Sequence, residues 1–485
     1  MSRMLLGPFN RVEGDLEIEL ERSATQVTQA WVRVPMYRGF EQMLVGKTPE
    51  DALVITPRIC GICSVAQSVA ATYALADLAE TTPPANAQYA LNILLACENL
   101  ADLLTHFYVF FMPDFARPVY ASQPWYQVIA ERFTAMKGSA TQQVLPARAA
   151  FMQIMGIIGG HWPHTLSLQV GGLSKALSPR ELIQLMGLVQ QFRLFLETVV
   201  FGDTLETIAS LDSLTALETW WDKQQAKPSD FALWLTVAKG LDLAQLGRAT
   251  DRFLSYGAYR QPDNQAFFWQ QGVWQAQQVQ AVPFAAITED LQAAWLRGNP
   301  LPLHPNQGVT LPYYPKPQAY SWSKAPRLAG AVIETGALAR QLVNGHPLIQ
   351  ALVQQSGGNV QNRMIARLLE LALIVPQMEH WLKQIRPQAA FYWAVKLPSD
   401  GNGVGLLEAA RGSLGHWLSV RNKHILNYQI IAPTTWNFSP RDQQGQAGAL
   451  EQALVNAPIQ TGETDPISVQ HIVRSFDPCM VCTAH

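Results

Sequence analysis

The sequence predicts an α+β fold that is predominantly helical: long central helices in a bundle, with small β elements at its periphery. Two observations carry this. Long apolar stretches with helix-start signals recur at residues 86–112, 178–210 and 360–385. Strand-like patterning is confined to short segments toward the two ends, at 15–34 and beyond 390. At 485 residues the chain exceeds the usual domain size. With no internal repeat beyond two cysteine pairs and no low-complexity tract, it reads as one domain over 1–485.

The elements follow in order. Asp15-Leu-Glu-Ile-Glu-Leu20 and Val27–Val34 alternate well enough for a β-hairpin. Thr48-Pro-Glu-Asp51 combines an N-cap residue, proline at the first helical position and acid in the first turn, so a helix opens there. Cys63 runs into Ser-Val-Ala-Gln-Ser-Val-Ala-Ala, which is helical in character, so Cys60 and Cys63 sit at a helix N-terminus, where the positive end favours thiolates. Residues 86–112 are apolar on nearly all sides and predict a central helix. Ser178-Pro-Arg-Glu181 is a capping box opening a second long helix. Residues 212–330, rich in Trp and Gln and containing the Pro/Tyr-rich loop 301–320, read as a peripheral insertion. A third long helix spans 360–385. Phe391–Val395 and Tyr428–Ala432 look like short strands around a glycine-rich loop.

Composition narrows the function. A hydrophobic share of 48% against 15% charged residues leaves apolar surface for a partner subunit to cover. A net charge of −2 gives no reason to expect nucleic acid or anionic membranes. The apolar run His106–Met112 is too short to span a membrane, and the N-terminus shows no signal-peptide pattern, so the expected location is cytoplasmic.

Four of the five cysteines stand in two Cys-x-x-Cys pairs, Cys60/Cys63 and Cys479/Cys482, at opposite ends of the chain. Two such pairs can surround one soft metal ion. Structural zinc is one reading, although zinc modules keep their ligands within a few dozen residues. Thiolates separated by most of the chain suit a catalytic soft metal such as nickel or iron. Either way the C-terminal end must be tucked into the core.

These residues carry a resemblance. Arg58-Ile-Cys-Gly-Ile-Cys63 and Asp477-Pro-Cys-Met-Val-Cys-Thr-Ala-His485 resemble the two signature motifs of nickel–iron hydrogenase large subunits. Arg11-Val-Glu-Gly14, Arg38-Gly-Phe-Glu41, Glu408–Trp417 and Pro433-Thr-Thr-Trp-Asn437 match further family motifs in the same order. The resemblance implies the family fold and a Ni-Fe(CN)2(CO) centre. Cys60 and Cys479 would bind nickel terminally, and Cys63 and Cys482 would bridge it to iron. It implies heterolytic cleavage of dihydrogen, with Cys479 as base and Glu13 relaying the proton. Arg411 would be a fixed cation and candidate base over the metals, held by Asp102 and Asp477, and Arg411 and Thr434 would donate to the cyanides. Glu41, a carbonyl near Gln443, and His485 would bind Mg2+ or a similar hard cation. Blander readings stand beside these: an Arg11–Glu13 surface ion pair, a turn acid at Asp477, an ordinary terminal residue at His485.

Several positions depart from the family pattern. Gln67 and Asp15 stand where members have His, and Ala410 where they have Pro. The sequence ends at His485 without the C-terminal extension that members lose on maturation. Ile62 and Phe110 occupy gas-channel positions where catalytic members have Val and Leu, and bulkier residues would narrow the passage against oxygen; ordinary core variation is the alternative. These features resemble the regulatory, hydrogen-sensing branch: a slow hydrogenase reporting to a sensor histidine kinase. The alternatives are a respiratory uptake hydrogenase and a non-catalytic subunit with structural zinc. Once four cysteines are committed only Cys97 remains, which cannot hold an iron–sulfur cluster. The electrons therefore require an iron–sulfur small subunit, in a heterodimer or a dimer of heterodimers.

Overall fold

Helix α2 (Ala85–Thr105) starts directly after Pro84 and is buried along almost its whole length, with Leu91, Leu94, Leu95, Leu100, Leu103 and Leu104 covering its faces. This is the apolar-all-round pattern expected of a central helix. It runs on into a π turn, His106–Phe111. The structure, a computed structural model, describes residues 2–262, 266–460 and 462–484. By length and composition Ala85–Asp114 is long and apolar enough to cross a membrane, contrary to the expectation that no segment is. However, 83% of its apolar window is buried inside the protein, so the core accounts for its hydrophobicity.

Two long helices complete the centre. α3 (Pro179–Phe195) opens on the Ser178/Glu181 capping box, with Ser178 Oγ accepting the Glu181 N–H. α5 (Val360–Gln384) opens on Asn359, whose side chain accepts the Asn362 N–H. α5 packs against both α2 and α3. Between them in sequence lies the short helix α4 (Ala337–Val343), all of whose residues are buried.

The β elements are small, as the patterning predicts. β1 (Ser2–Leu6), β2 (Glu17–Arg22) and β3 (Val27–Arg33) form an antiparallel sheet in that order. β4 (Phe253–Arg260) pairs with β5 (Phe267–Gln275) and in parallel with β9 (Glu334–Thr335), and β5 pairs with β6 (Gln278–Gln280). β7 (Ile287–Asp290) pairs with β8 (Ala325–Leu328). β4 is buried over seven of its eight residues, so the stretch expected to lie at the periphery sends one strand into the core.

β10 (Gly401–Ala409), β11 (Gly412–Arg421) and β12 (His424–Ile431) make an antiparallel meander. The expected glycine-rich loop is therefore a strand. Its glycines serve close packing: a Cβ at Gly403 or Gly405 would run into the carbonyl oxygens of Ala74 or Ala70 on helix α1 (Ser64–Leu78). Phe391–Val395, expected as a strand, makes only an isolated bridge, Tyr392 to Gly172. Of the aromatic residues that suggested a strand there, Phe391 is buried, but Tyr392 and Trp393 are exposed, Trp393 at 52%.

Candidate metal centre

The two cysteine loops are held together by the N-terminal motif. Glu13 forms a parallel bridge with Cys479: its N–H donates to Pro478 O (3.4 Å) and its carbonyl accepts from Met480 N–H (2.7 Å). Gly14 has φ +80°, and a Cβ there would press on Val481 at 3.0 Å, so glycine is needed for the approach. The Arg38 guanidinium donates to Val481 O (3.1 Å) on one loop and to Ile59 O and Arg58 O (3.3 Å) on the other. Arg11 pairs with buried Asp114 and donates to Phe110 O, so it anchors the N-terminus and makes no ion pair with Glu13.

Cys63 caps α1, and Cys479 caps the last short helix, α6 (Met480–Thr483). All four thiols are buried, with sulfur atoms within 4.8 Å of one another. Cys60 and Cys479 sulfurs are 3.4 Å apart, Cys63 and Cys482 3.1 Å, Cys479 and Cys482 3.0 Å. Hydrogen bonds from Cys479, Cys482 and Cys63 hold Cys60 well below the ordinary thiol value. The other three are pushed up, Cys63 first by its bond to Cys479, and Cys479 and Cys482 first by burial. Four thiolates so close repel one another unless cations lie among them. The set therefore fits soft divalent metal, which would invert these shifts.

Beside the sulfurs lies Arg411, at the turn between β10 and β11. Its Nη1 is 2.8 Å from Asp102 Oδ2, its Nη2 3.2 Å from Asp477 Oδ1, and its Nε donates to Asp477 O at 3.1 Å. All three residues are buried. Burial pushes the Asp102 carboxyl up to about 7 against the pull of Arg411. Asp477 also pays for burial, yet Arg411, His106 and Arg367 together hold it below its ordinary value. Burial opposes the charge on Arg411, but the two acids and the nearby thiolates raise its pKa well above normal, so it is a fixed cation. Glu13 is raised by burial and by the Cys60 thiolate, against the opposing pull of Arg411. Thr434 Oγ1 accepts the Cys479 N–H (3.0 Å), which leaves its hydroxyl hydrogen free to donate.

A family model described as nickel-dependent hydrogenase matches residues 38–127 and 122–485. The chain belongs to the nickel-dependent hydrogenase family. It is 28% identical to the periplasmic [NiFeSe] hydrogenase large subunit of Desulfomicrobium baculatum, across 100% of this chain and 95% of that one. It is 25% identical to the hydrogenase-2 large chain of Escherichia coli (strain K12), across 100% and 97%. Its fold is similar to that of the Ni-Fe-Se hydrogenase from D. vulgaris Hildenborough, with a TM-score of 0.85 at 26% identity over 100% of both chains. The chain is thus a hydrogenase large subunit, an oxidoreductase; the family implies a nickel–iron centre, and the four clustered cysteines form a buried group able to hold metal. Family membership sets nickel in place of the structural-zinc alternative.

Other residues of this hydrogenase surround the centre. Ile62 and Phe110 line one small cavity together with Asp102, Glu98, Met152 and Trp162; its volume of about 20 Å³ is room for about one water-sized molecule. Phe110 stands on the π turn, a distortion common at functional sites. Gln67, at the position of the family's histidine, donates to Cys482 Sγ at 3.9 Å. Its Oε1 lies 2.8 Å from His416 Nε2, and His416 Nδ1 lies 2.8 Å from Tyr428 OH. Sequence reading missed His416 and Tyr428, because His416 meets Gln67 through the packing of α1 on β11, and Tyr428 meets His416 through the pairing of β11 with β12.

Glu41 is buried and accepts from Lys324 Nζ (2.9 Å), from the Ile430 N–H (2.8 Å) and from Thr310. Lys324 also pairs with Glu289 at 2.6 Å. Gln443 donates its N–H to Asp290 at 2.9 Å. His485 lies outside the described residues. Two buried carboxylates share one ammonium, and burial raises Glu289 to about 7 against the pull of Lys324. That excess negative charge fits a hard cation. Glu289 and Lys324 gave no signal in the sequence.

Proposed function

We propose that this chain is the large subunit of a regulatory, hydrogen-sensing nickel–iron hydrogenase that works with an iron–sulfur small subunit and reports to a sensor kinase in the cytoplasm. The observation that carries the reading is the cavity shared by Ile62 and Phe110. Two residues bulkier than the Val and Leu expected of catalytic members close on a space of about 20 Å³ beside Asp102, itself bonded to Arg411. Bulkier side chains at these two positions would narrow access for dioxygen more than for dihydrogen, at the expense of flux.

The chain's residues divide the work. Cys60 and Cys479 would be the nickel ligands, and Cys63 and Cys482 would serve nickel and the iron with its carbon monoxide and cyanides. When bound, that group supplies the Lewis acidity that makes dihydrogen a proton donor. The Cys479 sulfur receives the proton. Glu13, adjacent through its backbone bridge and with its pKa raised from the ordinary carboxylate value, passes it outward. Arg411, fixed as a cation by Asp102 and Asp477, stabilises developing negative charge, and with Thr434 it would donate to the cyanides. Glu41 and Glu289 would hold a hard cation, for which the family resemblance implies His485 as a further ligand.

The reading is tested by infrared spectroscopy of the purified complex in the carbon monoxide and cyanide region, in air and then under hydrogen, followed by turnover. Bands that shift under hydrogen and return in air, with slow turnover, are expected. Rapid hydrogen oxidation coupled to a respiratory acceptor would instead establish an uptake hydrogenase. Absence of the bands in metal-loaded protein would sink both.

A further inference from the structure

We propose that Arg340, on helix α4, is a positioning residue that sets the turn carrying Arg411 and thereby aims its guanidinium at the metal site. The inference rests on the nickel–iron reading of the four-cysteine cluster. Strands β10 and β11 are joined by a two-residue turn, Ala410-Arg411, closed by the pair Ala409↔Gly412. Two-residue hairpin turns match the twist of their strands when one or both central residues have positive φ. Neither Ala410 nor Arg411 does. The positive φ of this hairpin falls instead on Gly412 (+130°), so where the two turn residues come to lie depends on what packs against them.

The Arg340 side chain supplies a hold on this turn. It is fully buried, and its Nη1 donates to Ala409 O (2.8 Å) while its Nη2 donates to Ala410 O (3.0 Å). These are the two carbonyls immediately before Arg411. The guanidinium is itself fixed by a bidentate pair with Glu370 (2.8 and 2.9 Å from Nη2) and by Glu408 (3.1 Å), the residue before Ala409. Glu408 is anchored in turn by the Tyr256 N–H at 2.8 Å. The start of α4 closes the other side. A Cβ on Gly412 would strike Thr335 Oγ1 and Gly336 N, and one on Gly336 would meet Arg411 O at 3.5 Å. The head of Arg411 is thus held by Asp102 and Asp477, and its backbone by Arg340. A planar fork can bind two carbonyls and a carboxylate together, whereas a lysine ammonium of equal charge offers a single point. Proline at 410 would fix φ near −65° and stiffen the same turn by covalent means, and no bond of the Ala410 N–H stands in its way among the described contacts.

The test is Arg340→Lys, alone and combined with Ala410→Pro, in the full heterodimeric complex. Three quantities are read: nickel and iron content, the cyanide stretching bands, and hydrogen/deuterium exchange activity. Arg340→Lys is expected to keep its metals, to move the cyanide bands and to lose tenfold or more of the exchange rate. Adding Ala410→Pro is expected to return the bands and most of the rate. Unmoved bands and rate in metal-replete Arg340→Lys overturn the proposal. So do moved bands that Ala410→Pro leaves displaced, and so does loss of metal in both variants, which would make Arg340 support for the fold alone. A wild-type complex without cyanide bands would sink the nickel–iron reading itself, and that result is read separately from the variants.

Discussion

Among the single residues, Glu13 is the one whose environment most directly bears on chemistry. Burial and the Cys60 thiolate raise its carboxyl above the ordinary value of 4.5, so it holds a proton at higher pH than a solvated glutamate. Glu13→Gln keeps the size and the backbone bridge to Cys479 but cannot release a proton. Hydrogen/deuterium exchange is expected to fall by about 10²-fold or more, the usual scale of a lost general acid–base, with nickel and iron content unchanged. An unchanged exchange rate would exclude Glu13 from the relay. At this scale the sequence was informative wherever a motif carried the residue: Cys60 meets Cys479 across 419 positions of the chain, and Asp102 meets Arg411 across 309. It was silent on Glu289, Lys324 and His416, whose roles arise from neighbours in three dimensions and leave no local pattern.

Of the elements, helix α1 matters most, because it carries Cys63 at its cap and lies on β10. Glu98 on α2 closes the N-terminus of α1 by accepting from Val65 N–H (2.9 Å) and Ala66 N–H (2.8 Å), and from Trp162 Nε1 (2.9 Å). Burial raises Glu98 from 4.5 to about 8. The folded state therefore binds a proton that the unfolded state has lost between those values, and its contribution, full below about pH 4.5, disappears as pH rises through 8. Glu98→Gln stays neutral throughout and gives up the bond to Ala66. It is expected to be less stable than the parent at pH 5, with the gap narrowing by up to about 1.4 kcal/mol per pH unit toward pH 8. Thermal midpoints at pH 5, 6.5 and 8 check this, and a gap independent of pH would contradict it. Gly405→Ala forces a methyl group against the Ala70 carbonyl. A loss of about 1–3 kcal/mol from overpacking, with reduced metal content because α1 is displaced, is expected from denaturation and metal analysis. Helix existence at this scale was legible because caps and periodicity are local. The strand β10 was misread as a loop because its glycines answer to α1, which the local sequence does not show.

For the whole molecule, the metal centre ties the last helix to the first quarter of the chain. Cys482→Ser is expected to lose the binuclear metal and keep the remainder of the fold, since the long helices pack independently of it. Hydrogen exchange should then speed up at residues 479–484 while α2 and α5 stay protected; retained iron and hydrogen oxidation would refute this. By itself the sequence determined the helical class, the ligand types, the family motifs and the need for an electron-carrying partner, because each is written in local pattern or residue count. Only the tertiary structure decided which groups meet: four sulfurs within 4.8 Å, two acids on one arginine, the shared cavity of Ile62 and Phe110, and the hold of Arg340 on a turn seventy residues away. Those contacts depend on how strands pair and helices stack, which fix distance between residues whatever their separation along the chain.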